Sequence, residues 1–231
     1  MNYLNWNEKT ITDFCDENVN SLYNEGYVFT RKGNGVMQKT RSLRIDLSEF
    51  ELSSENRRIL RKTEDLRLKI EDLPYKNYNW EIGKMAKDFY TEKFGDGTFS
   101  ANKIRELLTN DRQDFSRLFV YSIQSKIKNQ KSKITGYCIS AETDQMIHYS
   151  YPFYEIQNSK FKIQNLGMGM MLRAIEYAKE SGKKYIYLGS FQRPGDVYKL
   201  QFKGLEWFDG KGWSKDLEKL KEEIKGKGSK I

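Results

Sequence analysis

Met146-Ile-His-Tyr-Ser-Tyr-Pro-Phe-Tyr154, Gln164-Asn-Leu-Gly-Met-Gly169, Met170 to Ser181 and Lys184-Tyr-Ile-Tyr-Leu188 are the stretches that decide the fold. They read in turn as a strand, a glycine turn, an amphipathic helix and a second strand. A strand, a turn and a helix in that order leave unpaired backbone N–H groups at the helix N-terminus. Such a terminus suits a phosphate or another anion. The segment therefore points to an enzyme that grips a phosphorylated acyl donor.

Working outward, Thr10 to Asn24 places Ile11, Phe14, Cys15, Val19 and Leu22 near one helical face, and Gly26 can end that helix. Tyr27 to Thr30 and Ser42 to Leu47 read as strands around the Lys32-Gly-Asn-Gly35 turn. Ser53 is placed to cap a helix running to about Thr63, with Glu55 in its first turn, and a strand follows at Leu66 to Ile70. Trp80 to Phe94 carries Ile82, Met85, Ala86, Phe89 and Tyr90 at helical spacing, and Gly95 stops it. Ser100 caps a short helix. Leu118 to Ile123 and Ile134 to Ile139 pair around a lysine-rich loop. Tyr198 to Glu206 and Trp207 to Trp213 suggest a final strand or hairpin, and Leu217 to Ile224 a charged surface helix. Antiparallel strands followed by one strand–helix–strand crossover give an α/β (α+β) fold. Its sheet is mixed and mostly antiparallel, with helices on both faces. Residues 1–40 form a small N-terminal elaboration and 41–231 the main domain.

At 231 residues, with 38% apolar and 14% aromatic residues, the chain can bury a core despite a mean hydropathy of −0.80. No apolar run approaches the roughly 20 residues needed to span a bilayer. The N-terminus lacks the basic and apolar regions of a secretory signal. A cytoplasmic monomer is expected. Cys15 and Cys138 stand far apart and are expected to be buried, reduced thiols. No ligand cluster for zinc or iron–sulfur is present in the sequence, so no metal is expected. The net charge of +8 gathers at Arg57, Arg58, Arg61 and Lys62, at Lys126 to Lys133, and at Lys219 to Lys230. Such patches attract polyanions. The second patch reads first as a solvated hairpin loop, and the tail from Lys225 as a frayed end.

Gln164-x-x-Gly167-x-Gly169, opening a helix, resembles the pyrophosphate-binding loop of the GNAT acyltransferase superfamily. Glycines there let the backbone approach an anion to which the following amides donate. A longer resemblance is to the aminoacyl-tRNA–protein transferases, the arginyl and leucyl enzymes of the N-end rule. It runs through Asn165-Leu-Gly167, Leu172-Arg-Ala-Ile-Glu176, Tyr185-Ile-Tyr-Leu-Gly189 and Tyr198-Lys-Leu-Gln-Phe-Lys-Gly-Leu-Glu206. Upstream, Arg44-Ile-Asp-Leu-Ser-Glu-Phe50 and Ser54-Glu-Asn-Arg-Arg-Ile-Leu-Arg-Lys62 resemble the family's strand and its serine-x-x-arginine-arginine helix. Two departures stand out. The family's N-terminal cysteine-rich element is missing, and Pro194-Gly-Asp-Val197 replaces a common lysine-methionine pair.

The resemblance implies a GNAT-like transferase that passes an amino acid, of arginine or leucine type, from a charged tRNA to a free amine such as a protein N-terminus. It implies no cofactor beyond the aminoacyl-tRNA co-substrate. It implies Tyr187, Tyr198 and Lys199 as catalytic residues. Gln164, Leu166, Gly167, Met168, Gly169, Gln201 and Lys203 would hold the donor and its phosphate, and Arg57, Arg58 and Arg61 the tRNA backbone. His148, Asp196 and Glu206 are the candidate bases. No covalent-nucleophile pattern is present, so direct attack in a ternary complex is favoured over an acyl-enzyme. Two other readings stay open: a GNAT N-acyltransferase using acetyl-CoA, and a non-catalytic tRNA-binding module.

Overall fold

The computed structural model describes residues 4–124, 132–156 and 165–225. Most of the lysine-rich loop, Gln164 and the tail after Lys225 lie outside the described residues. In chain order the elements are β1 (Asn7–Thr10), α1 (Asp16–Asn24), β2 (Tyr27–Phe29), β3 (Val36–Lys39), β4 (Ser42–Asp46), α2 (Ser54–Lys62) and β5 (Leu66–Asp72). Then come α3 (Trp80–Phe94), α4 (Ala101–Thr109), β6 (Arg117–Ile123), β7 (Lys133–Glu142), β8 (Met146–Tyr154), α5 (Leu166–Glu180) and β9 (Tyr185–Ser190). A 3-10 helix (Pro194–Gln201), β10 (Leu205–Phe208), β11 (Trp213–Ser214) and α6 (Leu217–Lys225) complete the chain.

One sheet has the order β1-β3-β2, and an eight-stranded sheet the order β11-β10-β4-β9-β8-β7-β6-β5. The expected mixed, mostly antiparallel sheet is therefore present. Its parallel step is β8 beside β9, joined through α5, with Met146 opposite Tyr185 and His148 opposite Tyr187. Parallel neighbours need such a crossover, because a tight hairpin reverses the chain. Two compact units divide the chain, and β8 runs from one into the other. The first comprises Met1–Ser53, Glu142–His148 and Ala178–Ile231; the second comprises Ser54–Ala141 and Tyr149–Tyr177.

In the first unit, β4 is buried along almost its whole length, with Leu43 and Ile45 fully inaccessible beside Ile147, Ile186 and Trp207. Residues 10–24 do not form one helix. Asn7–Thr10 pairs with β3 instead, and α1 starts only at Asp16. The side chain of Asp13 accepts from the Cys15 N–H at 3.0 Å, which fixes the turn into α1. Cys15 is thus exposed, contrary to the expectation of a buried thiol, whereas Cys138 is buried. The expected strand at Tyr198 begins only at Leu205, after the 3-10 turn.

In the second unit, α3 and α4 begin as their sequences dictate. The Asn79 side chain accepts from Ile82 N–H at 3.2 Å, and Ser100 Oγ from Lys103 N–H at 3.1 Å. Strands β5, β6 and β7 bury Leu66, Leu118, Phe119, Tyr121 and Ile139, and α5 adds Met170, Leu172 and Ile175. The glycine turn before α5 is not found. The helix starts at Leu166, and its ladder begins with Gly169 N–H bonding to Asn165 O at 2.8 Å. The left-handed residue is Asn165, at φ 65°.

Gly167 and Gly169 are thus helical, and each serves a close contact. A Cβ on Gly167 would meet the Tyr154 ring at 2.8 Å, and one on Gly169 would meet Thr63 Oγ1 at 2.7 Å. Alanine is intrinsically better in a helix by about 1 kcal/mol. Overpacking, which costs about 1–3 kcal/mol, opposes that gain. Gly169→Ala is therefore expected to lower the urea midpoint without changing the m-value. A raised midpoint would mean that Thr63 yields freely.

Candidate functional site

Four polar residues in the first unit stand opposite one another on successive strands. Glu206 on β10 pairs with Arg44 on β4, Arg44 with Tyr187 on β9, and Tyr187 with His148 on β8. Directly opposed residues point to the same side of a sheet, so the four side chains form one row. Arg44 Nε donates to Glu206 Oε2 at 2.8 Å, and Arg44 Nη1 to Asn24 Oδ1 at 3.0 Å and Tyr187 Oη at 3.4 Å. The guanidinium carbon also lies 3.8 Å from the Tyr185 ring centre and 4.0 Å from that of Trp213. Stacking of this kind suits arginine because its charge is planar and weakly hydrated.

Tyr187 is 1% exposed. Burial pushes its hydroxyl up to about 12, with Arg44 pulling the other way. It therefore stays neutral. Tyr23 packs edge-on against both Tyr187 and His148, and its hydroxyl lies 2.9 Å from His148 Nδ1. Burial, then the nearby Lys199 ammonium, hold the His148 pKa down to about 3. A histidine this weakly basic does not suit the general-base role considered from sequence.

Lys199 is 8% exposed, on the 3-10 helix. Its ammonium donates to Ser190 O at 3.2 Å and lies 4.0 Å from Asp196 Oδ1. Burial lowers its pKa, and Asp196 resists that. Asp196 Oδ2 accepts from the Gln192 and Arg193 N–H groups at 2.9 and 3.0 Å, which anchors the start of the 3-10 helix. Tyr198 projects outward next to Val197, at 45% and 53% exposure. Gln201 turns back to Tyr198 O at 2.7 Å, and Lys203 pairs with Glu51 at 2.6 Å. The structure thus gathers Tyr187 with Glu206 and His148, and Lys199 with Asp196. It gives Gln201 and Lys203 local partners of their own. Arg44, Asn24 and Tyr23 were missed from sequence. The available signals were a charged residue in the alternating run Ser42 to Leu47 and its place at the head of the family-like run Arg44 to Phe50.

In the second unit, the start of α5 adjoins a cavity of about 90 Å³ lined by Lys62, Thr63, Asp65, Leu66, Ile123 and Leu166. Leu66 and Ile123 are cross-strand partners on β5 and β6. Leu166 is buried, so its side chain lines this cavity rather than solvent. On α2, Arg57 and Arg61 are exposed, while Arg58 is drawn to Glu55 in a two-pronged ion pair. Among the described residues no group of three or more His, Cys, Asp or Glu could hold a metal ion, and no helix is long and apolar enough to cross a membrane.

Residues 74–209 match the family described as "Arginine-tRNA-protein transferase, C terminus". The chain is 26% identical to an aspartate/glutamate leucyltransferase of Chromohalobacter salexigens, over 76% of this chain and 68% of that one. It is 24% identical to the protein of that name from Saccharophagus degradans, over 91% of both. Among solved structures, L-PGS from Bacillus licheniformis overlaps at a TM-score of 0.46 and 13% identity, over 77% of this chain and 52% of that one.

Proposed function

Because the chain belongs to the arginine-tRNA-protein transferase family, we propose that it transfers leucine from charged tRNA to the N-terminus of proteins that begin with aspartate or glutamate. The enzyme class follows from the family. The choice of leucine and of an acidic acceptor is supported by the names of its relatives, aspartate/glutamate leucyltransferases. The observation that carries the reading is the family match, which spans β9 and the 3-10 helix with Tyr187, Tyr198 and Lys199.

The donor is an ester and needs no further activation. The acceptor's α-amine, with an ordinary pKa near 7.7–8.0, is already partly neutral near pH 7. Attack forms the new C–N bond, breaks the ester C–O bond and sends the amine proton to the leaving ribose oxygen. A strong base is not required. The protein's task is to align the amine and stabilise the oxyanion. Lys199 would supply positive charge to that oxygen, and Tyr198 would contact the substrate. Tyr187, covered by Tyr23 and held to Arg44, is better placed as a positioning residue. The start of α5, with Leu166, Gly167, Met168 and Gly169, would serve the donor end of the tRNA. Beyond the aminoacyl-tRNA no cofactor is required.

Incubation with leucyl-tRNA and a peptide starting with Asp or Glu is expected to add one leucyl residue, read by mass spectrometry. Acetyl transfer from acetyl-CoA with no leucyl transfer would overturn the reading. Lys199→Met, which keeps the buried stem, is expected to lower kcat by about 10²-fold, in the range for loss of one oxyanion-stabilising donor. An unchanged kcat would remove Lys199 from the site. Binding of tRNA should weaken steeply with salt. Arg57→Gln with Arg61→Gln should flatten that slope while leaving Tm unchanged, because both side chains are exposed.

A further inference from the structure

We propose that Asp196 is a positioning residue for the transfer: it keeps the Lys199 ammonium charged and in place while leaving donors of that ammonium to the substrate. This rests on the role given to Lys199 above and adds to it the group that maintains that role. All the residues involved lie in the first unit, at the end of β9 and on the 3-10 helix that follows. Residues three apart eclipse on a 3-10 helix, which stacks Lys199 over Asp196. The two carboxylate oxygens have separate tasks. Oδ2 accepts from the Gln192 and Arg193 N–H groups and fixes the first turn. Oδ1 faces the Lys199 ammonium at 4.0 Å. That distance keeps the charge attraction but is too long for a hydrogen bond.

An ammonium has three donors. Among the described residues Lys199 gives one of them to a hydrogen bond, with Ser190 O. The side chain is buried, so the remaining donors are costly unless a ligand takes them. A developing oxyanion is such a ligand. The charge itself needs support. Burial works against it, and so does the Arg193 guanidinium; Asp196 opposes both. His148, on β8, is held neutral and adds no charge. On α6, which runs beside the 3-10 helix, Lys219, Lys221 and Glu223 are drawn to Asp209, Glu218 and Arg41. Without Asp196, burial and Arg193 would both favour a neutral amine, which cannot offset negative charge.

Asp196→Asn removes the charge and keeps an oxygen for the Gln192 and Arg193 N–H groups. The test is kcat for leucyl transfer by the full chain, measured from pH 6 to 9. Lys199 should lose its proton at lower pH in the variant, so the ratio of wild-type to variant kcat should grow with pH. Growth of about 5-fold or more is expected, since an opposite charge this close changes proton affinity by about 10-fold or more. In a Lys199→Met background, Asp196→Asn should change kcat by less than about 2-fold at every pH, because the group it acts through is gone. Asp196→Ser, whose hydroxyl also accepts from backbone N–H groups, gives the same readout if the Asn variant fails to fold. A ratio that stays constant with pH, or an equal loss in the Lys199→Met background, means that Asp196 only shapes the turn. Either result overturns the positioning role and leaves the activity standing. No leucyl transfer by wild type at any pH overturns the tRNA-dependent reading itself, and this role with it.

Discussion

Glu206→Ala is expected to lower the stability of the folded chain by about 3–5 kcal/mol, the range for removing one partner of a buried ion pair. The Glu206 and Arg44 side chains are only 13% and 7% exposed. Without the carboxylate, a guanidinium stays buried against Asn24, the Tyr187 hydroxyl and two aromatic faces, none of which carries a formal negative charge, and keeps only a weaker, longer-range attraction to Asp46. Urea unfolding measures the loss directly. Arg44→Met combined with Glu206→Leu should restore most of it, since apolar replacement of a buried pair is commonly neutral or better. If Glu206→Ala costs less than about 1 kcal/mol, the pair behaves as a surface bridge and the row across β10, β4, β9 and β8 does not anchor the unit.

A second large effect is set by acid. His148 titrates near 3 in the folded chain, against an ordinary 6.5. Below pH 6.5 the unfolded chain takes up a proton on this side chain while the folded chain does not. Stability is therefore full above about pH 6.5 and falls as pH drops, by up to about 1.4 kcal/mol per unit. The fall ends near pH 3 and totals about 4–5 kcal/mol. His148→Gln should remove this slope between pH 6 and 4. Parallel pH dependence in both proteins would show that His148 is not the group responsible. Lys199→Met should ease the slope in part, because its charge is the second cause that keeps His148 neutral.

Sequence reading succeeded where periodicity and capping agreed. The helix from Trp80 to Phe94 and the strand from Met146 to Tyr154 have their expected limits, and the parallel crossover is present. It failed where tertiary contact overrode local preference. Two glycines in six residues suggest a turn, yet Gly167 and Gly169 lie in α5, where Tyr154 and Thr63 leave no room for a Cβ. The apolar spacing from Thr10 onward suggests a helix, yet Asn7–Thr10 goes to β3. Part of the candidate site was legible through the strand end at Tyr187 and the run from Tyr198. The Arg44–Glu206 pair was not, since 162 residues separate its members. Nor could spacing reveal that Asp196 holds the backbone of its own turn. The cavity was equally hidden, because Leu66, Ile123 and Leu166 meet only after β5, β6 and α5 are in place.

The exposed Cys15 and buried Cys138 give the unaltered chain a built-in address for chemistry. Burial lifts the Cys138 thiol far above its ordinary range, whereas Cys15 stands in solvent at the start of α1. A maleimide dye should therefore attach at one place under native conditions. Emission from that single fluorophore could follow tRNA arrival in real time, with no cysteine engineered in or out.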